Sequence, residues 1–106
     1  MCGIAGIFSR KKDLSIDHAV DLMVSALSHR GPDDQGTWSD SQAGIYFGHR
    51  RLSIVDLTQE GHQPMRSHCG RYVAVFNGEI YNHSILRDKL GKQVHNLSWN
   101  GHSDTE

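Results

Sequence analysis

The chain begins Met1-Cys2-Gly3-Ile4-Ala5-Gly6-Ile7-Phe8, and the apolar run at 4–8 predicts a short buried strand. This beginning lacks the basic and then apolar pattern of a secretory signal peptide. No stretch approaches the 18 consecutive apolar residues that a membrane-spanning helix needs. We therefore expect a cytoplasmic protein that does not interact with membranes, with this strand inside its folded domain.

A helix is predicted directly after the strand. Ser15 can cap its N-terminus, and Asp17 lies in the first turn, where the helix dipole favours an acidic residue. Apolar residues recur at helical spacing between 16 and 27. Gly31 is expected at the C′ position, and Pro32 prevents the helix from continuing.

The rest of the chain alternates between strand-like and polar segments. Residues rich in Ile, Tyr, Phe and Val predict strands at 43–49, 52–55 and 71–76. The polar segments at 33–42 and 59–69 are predicted to be loops.

A second, short helix is predicted with Asn82 as its cap and Gly91 at its end. With few helices between successive strands, the pattern favours an α+β fold with antiparallel sheets. A length of 106 residues sets a limit of one domain.

Composition excludes several functional classes. The chain is 37% hydrophobic and 22% charged with a net charge of −1, which is typical of a globular protein and gives no basic face for nucleic acid. Cys2 and Cys69 are too few for a disulfide framework, so we expect two reduced thiols. The chain has eight histidines, but none has the spacing of a common zinc site, and we expect no metal.

Cys2 is the first candidate for chemistry. Removal of Met1 would leave a thiol and a free α-amine on the same residue. The amine, with an ordinary pKa near ~8, can accept the thiol proton near neutral pH. The alternative for such a residue is a small buried side chain at the start of a strand.

Asn77-Gly78-Glu79 follows the strand predicted at 71–76. Asn-Gly is the strongest short signal for a hairpin turn. The functional alternative is an oxyanion hole, because the Asn77 amide and the Gly78 N–H can both point at one developing negative charge. From these residues alone, both interpretations stay open.

The order of the motifs is more specific than any one of them. Five segments follow one another: Met1-Cys2-Gly3-Ile4-Ala5-Gly6, His29-Arg30-Gly31-Pro32-Asp33, Arg51-Leu52-Ser53-Ile54-Val55-Asp56-Leu57, Asn77-Gly78-Glu79-Ile80-Tyr81-Asn82 and Ser103-Asp104-Thr105-Glu106. Together they resemble the glutaminase domain of glutamine-dependent asparagine synthetases, a class II glutamine amidotransferase and N-terminal-nucleophile (Ntn) hydrolase. The resemblance weakens only at 9–15 and 92–101, and the role of the second segment is open.

The resemblance implies a fold larger than this chain. Residues 1–106 would be the N-terminal portion of a four-layer αββα sandwich with antiparallel sheets, truncated before the domain is complete. A synthetase domain would follow in the same protein and would bind ATP and magnesium, whereas no cofactor is expected in residues 1–106. We expect the fragment alone to be inactive, and a homodimer of the full-length protein is compatible with the family.

The resemblance also implies a substrate, L-glutamine, and a set of roles. Cys2 would attack the side-chain amide of glutamine to give a thioester and ammonia, which the synthetase domain would use. The oxyanion would be held by Asn77 and Gly78, and the substrate by Arg51, Ile54, Val55, Glu79 and Asp104. The ammonia acceptor is left open between aspartate, its default, and a sugar or peptide carboxylate. The alternative function is an inactive Ntn-like scaffold domain.

Overall fold

The computed structural model describes residues 1–11, 13, 15–54 and 58–106. Its first part is an antiparallel sheet of three strands: β1 (Gly3–Phe8), β2 (Asp34–Asp40) and β3 (Ile45–Arg51). Strand β3 lies in the centre, with β1 on one side and β2 on the other. The α+β class with antiparallel sheets is thereby confirmed.

Helix α1 (Ser15–Ala26) covers one face of this sheet. Its buried residues Val20 and Val24 form a small core with Ala5 of β1 and Tyr46 of β3. Gly48 lets the helix approach closely, because a Cβ there would overlap the side chain of Val24. Strand and helix are thus held together by apolar contact, as the helical spacing in α1 predicts. The strand predicted at 4–8 is present, but of these residues only Ala5 is buried, and Ile4 and Phe8 are 42% and 68% exposed.

The two ends of α1 differ from the prediction. The helix begins at Ser15, and the acceptor at its N-terminus is Asp13, whose Oδ1 lies 2.9 Å from the Ser15 nitrogen. That hydrogen bond lowers the pKa of Asp13 below its usual range. The helix ends at Ala26, and turns rather than helix follow up to Arg30.

Gly31 has a different role from the C′ residue that was predicted. Among the described glycines, positive φ angles occur at Gly44 and Gly70 and not at Gly31. At Gly31 a Cβ would lie 2.5 Å from the backbone carbon of Arg50. This glycine is required because the chain passes close to the backbone of β3.

Strand β2 corrects the prediction of a loop at 33–42. Its sequence, Asp-Gln-Gly-Thr-Trp-Ser-Asp, is polar, but it pairs with β3 over its whole length. Trp38 stacks on Phe47 of β3 with ring centroids 5.8 Å apart. The strand is formed by its neighbour rather than by its own propensity, which local sequence cannot indicate.

The second part of the chain has shorter elements. A 3₁₀ helix spans Gln59–Gly61, and β4 (Met65–Arg66) pairs with β5 (Val73–Ala74). The strand predicted at 71–76 is therefore reduced to two paired residues, because β4 offers no longer partner. Residues 52–54 are not a strand, which corrects the prediction at 52–55 as far as residue 54. Residue 55 lies outside the described residues.

Helix α2 spans His83–Gln93. Asn82 occupies the predicted N-cap position, although its side chain makes no capping hydrogen bond. The helix continues through Gly91, so the prediction that this glycine ends it is wrong. In the described part of the chain, no helix is long and apolar enough to cross a membrane. Both cysteines are free thiols, as expected.

Candidate active site

The thiol of Cys2 lies at the end of β1, beside the end of β3. The register that pairs Gly3 with Arg50 brings Cys2 next to Leu52. The Leu52 N–H donates to the Cys2 Sγ at 3.3 Å, and the Leu52 carbonyl oxygen lies 3.8 Å from the same sulfur. The pairing of two strands therefore fixes the thiol in a half-buried position.

Arg51, the last residue of β3, is buried, with 8% of its surface exposed. Its Nη1 donates to the Thr58 carbonyl at 2.7 Å. The guanidinium lies against Gly61, where any Cβ would overlap it. The backbone after β3 is held as well, since Ser53 N–H donates to the Asp33 carboxylate at 2.7 Å. Arg51 therefore has a defined position beside the cysteine.

The peptide before Asn77 is held on both sides by buried side chains. Phe76 N–H donates to Gln63 Oε1 at 2.6 Å, and the Phe76 carbonyl lies 3.2 Å from His49 Nε2. A carbonyl oxygen only accepts, so Nε2 must carry the proton. At position 78 a Cβ would lie 2.6 Å from the Phe76 ring, so a larger residue there would require that ring to move.

His49 itself is almost completely buried, with 1% of its surface exposed. Burial lowers its pKa, against a smaller opposing effect of the hydrogen bond to Phe76. Its Nδ1 is buried without a hydrogen-bond partner among the described residues. A neutral ring that donates through Nε2 accounts for both observations.

Asp104 approaches the same place from the end of the chain. Its Oδ2 accepts a hydrogen bond from Ile80 N–H at 2.7 Å. Arg87 of α2 supports the preceding backbone, donating to the carbonyls of Gly101 at 2.8 Å and Ser103 at 2.7 Å. The residues that carry Asp104 are thus fastened to the segment that follows Gly78.

Cys2, Arg51, Phe76 and Asp104 border one cavity of about 340 Å³, within the range of small-molecule sites. It brings together seven of the eight site residues predicted from the sequence: Cys2, Arg51, Ile54, Asn77, Gly78, Glu79 and Asp104. The eighth, Val55, lies outside the described residues.

Several residues of the cavity wall were not predicted, namely Leu52, Gln63, Phe76, Tyr81, Ser103 and Thr105. Leu52, Tyr81, Ser103 and Thr105 stand inside the recognised motifs, and Phe76 directly precedes one. Nothing in the local sequence marks Gln63 as a site residue. No histidine is found among the described residues that line the cavity. In the same described part of the chain, no group of three His, Cys, Asp or Glu side chains could hold a metal ion.

Comparison with known families gives the same assignment as the motifs. A family model described as glutamine amidotransferase domain matches residues 1–106. The chain belongs to this family. The amidotransferase family thus accounts for the whole of the chain, including the sheet that positions Cys2 and the segment that carries Asp104.

Three curated relatives are similar to this amidotransferase chain over all of its length. Two are asparagine synthetases [glutamine-hydrolyzing] of Bacillus subtilis, number 3 at 40% identity and number 2 at 41%. The third, Amidase chry2 of Gibberella zeae, is 33% identical. The chain covers 17%, 14% and 17% of these proteins, respectively, so it corresponds to a small part of each.

Proposed function

We propose that this chain is the N-terminal part of a glutaminase domain, which hydrolyses L-glutamine to glutamate and ammonia through Cys2. The observation that carries the proposal is the meeting of a thiol, a buried guanidinium, an amide and two carboxylates at one cavity. These groups complement the parts of glutamine: an electrophilic carboxamide, an α-carboxylate and an α-ammonium.

The general base in this proposal is the α-amine of Cys2. Met1 borders the cavity, so its removal would both free the amine and open space beside the thiol. A base on the same residue as the nucleophile needs little further orientation. The lack of a histidine among the described cavity residues supports the amine over a Cys–His pair.

The reaction would proceed in two halves. The amine takes the Sγ proton as the sulfur attacks the carboxamide carbon, and the resulting oxyanion is stabilised by the Asn77 amide and the Gly78 N–H. Collapse breaks the C–N bond, the amine returns its proton to the leaving group, and ammonia departs from a thioester. Water then attacks the thioester carbon, which releases glutamate and regenerates the thiol.

The other end of the substrate would be held by charge. Arg51 offers a planar fork that can bind the α-carboxylate through two hydrogen bonds. Glu79 and Asp104 would bind the α-ammonium, and Asp104 would use Oδ1, since Oδ2 accepts from Ile80. Backbone groups of Ile54 and Val55 would complete the pocket.

The ammonia would be consumed elsewhere in a longer protein. We propose that residues 1–106 are followed by the rest of the glutaminase domain and by a synthetase domain that uses ATP and magnesium. Aspartate is the acceptor we favour, because two of the relatives are named asparagine synthetases. We also propose that the protein is cytoplasmic and that its full-length form can be a homodimer.

The test compares two full-length proteins, one with a stable N-terminal tag and one whose tag is cleaved to leave Cys2 first. Mass spectrometry confirms each terminus, and glutamate release is measured between about pH 6 and 9, around the pKa of a free amine. We expect activity only with the free terminus, because an acylated nitrogen cannot accept a proton in this range.

Cys2→Ala with a free terminus is the matched control and should release no glutamate, while synthesis from added ammonia continues. Equal glutamate release from tagged and cleaved proteins would overturn the amine mechanism. Glutamate release by the Cys2→Ala variant would overturn the assignment of the nucleophile.

A further inference from the structure

Gln63 is a buried polar side chain for which the proposed reaction has no role. Only 6% of its surface is exposed. Its Oε1 accepts from Phe76 N–H at 2.6 Å, and its Nε2 donates to the Thr105 hydroxyl at 3.3 Å. One planar amide therefore joins two backbone segments that are far apart in the sequence.

The two partners of Gln63 each stand next to a site residue. Phe76 directly precedes Asn77 and Gly78, and Thr105 directly follows Asp104. The first segment would hold the oxyanion and the second the α-ammonium of glutamine. The Gln63 amide, which bonds to both segments, therefore helps to set their separation.

Gln63 is itself fixed against the sheet. Its backbone carbonyl oxygen lies so close to Gly36 of β2 that a Cβ on residue 36 would overlap it. The neighbouring His62 contacts Asp34 of β2, with Nδ1 2.7 Å from Oδ2. The backbone of Gln63 is thus held against the sheet, which also carries Arg51. Its side-chain amide in turn holds the two segments in place relative to the sheet.

We infer that Gln63 is a positioning residue for glutamine hydrolysis, which holds the oxyanion segment at 76–78 and the segment of Asp104 in register with the sheet. This inference rests on the glutaminase function proposed above. A glutamine suits the role because one side chain supplies both the acceptor for the Phe76 N–H and the donor to Thr105. An aliphatic residue of similar size would leave that N–H without a partner inside the protein.

Three variants separate the two hydrogen bonds. Gln63→Leu removes both, and we expect kcat to fall roughly 10- to 100-fold, since a displacement of about 1 Å at a reacting centre can cost 10²-fold, together with a higher KM. Thr105→Val removes one bond and should raise KM by roughly 3- to 10-fold with a smaller change in kcat. Gln63→Glu keeps the acceptor for Phe76, and the Thr105 hydroxyl can rotate to donate, so most of kcat should return.

The experiment uses the full-length protein with a free Cys2 and two readouts besides turnover. Inhibition by the γ-semialdehyde of glutamate reports on the oxyanion site, because the thiol adds to the aldehyde to form a tetrahedral hemithioacetal. Alkylation of Cys2 by iodoacetamide reports on the thiol alone, which is held by Leu52 and not by Gln63. Gln42→Leu, at an exposed turn between β2 and β3, is the matched control.

The inference is supported if Gln63→Leu lowers kcat and weakens inhibition by the aldehyde, each at least tenfold. The rate of Cys2 alkylation should at the same time stay within twofold of wild type. An equal loss in alkylation would show a general structural defect and overturn it, as would wild-type kinetics. If Gln63→Leu does not fold, Thr105→Val and Gln63→Glu decide: an unchanged KM in the first, or lost kcat in the second, overturns the inference. Wild-type protein that releases no glutamate would instead refute the proposed function.

Discussion

The sheet region (residues 3–51) and the loop region (residues 59–106) are held together by different forces. Among the described residues, the buried hydrophobic side chains are Ala5, Val20, Val24 and Tyr46, and all lie in the sheet region. The loop region buries Gly61, Gln63 and Ser103 instead, and helix α2 has no buried residue. Apolar burial fixes the first region, and hydrogen bonds from side chains fix the second.

This difference divides the candidate site. Cys2 and Arg51 belong to or directly adjoin the sheet region, whereas Asn77, Gly78 and Asp104 belong to the loop region. A buried hydrogen bond contributes about 0.5–1.5 kcal/mol net, less than the roughly 1.5–3 kcal/mol of a buried aliphatic side chain. We therefore expect the positions of Cys2 and Arg51 to be disturbed less by substitutions of neighbouring residues than the positions of Asn77, Gly78 and Asp104.

The loop region also leaves apolar surface open. Ile85, Leu86 and Leu90 of α2 are 56%, 40% and 40% exposed. Such a face normally lies against another element. We expect residues 1–106 alone to be inactive and poorly folded, because the strands that would complete both sheets are missing and their partners would expose unpaired edges. The open apolar face of α2 is a second reason.

Within the loop region, the largest effect is expected at Asn77. Asn77→Ala should lower kcat for glutamine hydrolysis by roughly 10²- to 10³-fold, the usual cost of one oxyanion donor. KM should change little, because the amide binds charge that exists only in the transition state. Steady-state glutamate release measures both constants.

Asp104→Ala is the comparison for Asn77→Ala, in the same region but with a different role. Its proposed contact with the α-ammonium is equal in ground and transition states, so KM should rise while kcat is largely retained. If Asn77→Ala raised KM and Asp104→Ala lowered kcat, the two assignments would be exchanged and both would be wrong.

A smaller effect is expected where α2 fastens the end of the chain. Arg87 donates to the carbonyls of Gly101 and Ser103, pairs with Glu106 at 3.2 Å and lies over the Trp99 ring at 4.5 Å. Arg87→Leu should loosen the segment that carries Asp104 and raise KM for glutamine about tenfold, equal to ~1.4 kcal/mol.

Lys89 is an exposed cation two residues further along α2. Lys89→Leu is therefore the control for loss of charge and should leave KM unchanged. Alkylation of Cys2 should stay at the wild-type rate in both variants, because the thiol is held by the sheet region. An unchanged KM in Arg87→Leu would show that the hydrogen bonds of the loop region do not position the substrate.

The sequence predicted the sheet region better than the loop region, for a reason visible in the structure. Helix α1 buries apolar residues at helical spacing, and β1 is a continuous apolar run, so both elements can be read from the local sequence. Strand β2 was missed because its residues are polar and its conformation comes from pairing with β3. Strand β5 was predicted too long because only two of its residues find a partner.

The candidate site shows the same contrast. Cys2, Arg51, Asn77 and Asp104 belong to motifs and were predicted, although their roles stay predictions. Gln63 and Arg87 were not predicted, because a polar residue outside a recognised catalytic role looks like surface until its partners are known. Burial of a polar side chain depends on distant segments, and no local pattern encodes it.

The smallest effect is expected at His49, where the sheet region contacts the loop region through the carbonyl of Phe76. Burial is the main reason that its pKa in the folded protein is lowered, and Asp34, His62 and Arg51 are the charged or titratable groups that act on it. An unfolded histidine titrates near ~6.5. Between that value and the lower folded pKa, the unfolded chain binds more protons.

The contribution of His49 to stability is therefore fully present above about pH 6.5 and is lost as the pH falls toward the folded pKa. Hydrogen exchange of peptides covering 45–51 and 73–80, corrected for the intrinsic rate, should show a larger loss of protection from pH 8 to pH 5 in wild type than in His49→Gln. His18→Gln, at an exposed position of α1, should behave as wild type. The same pH dependence in His49→Gln and wild type would show that another group weakens the contact between the two regions in acid.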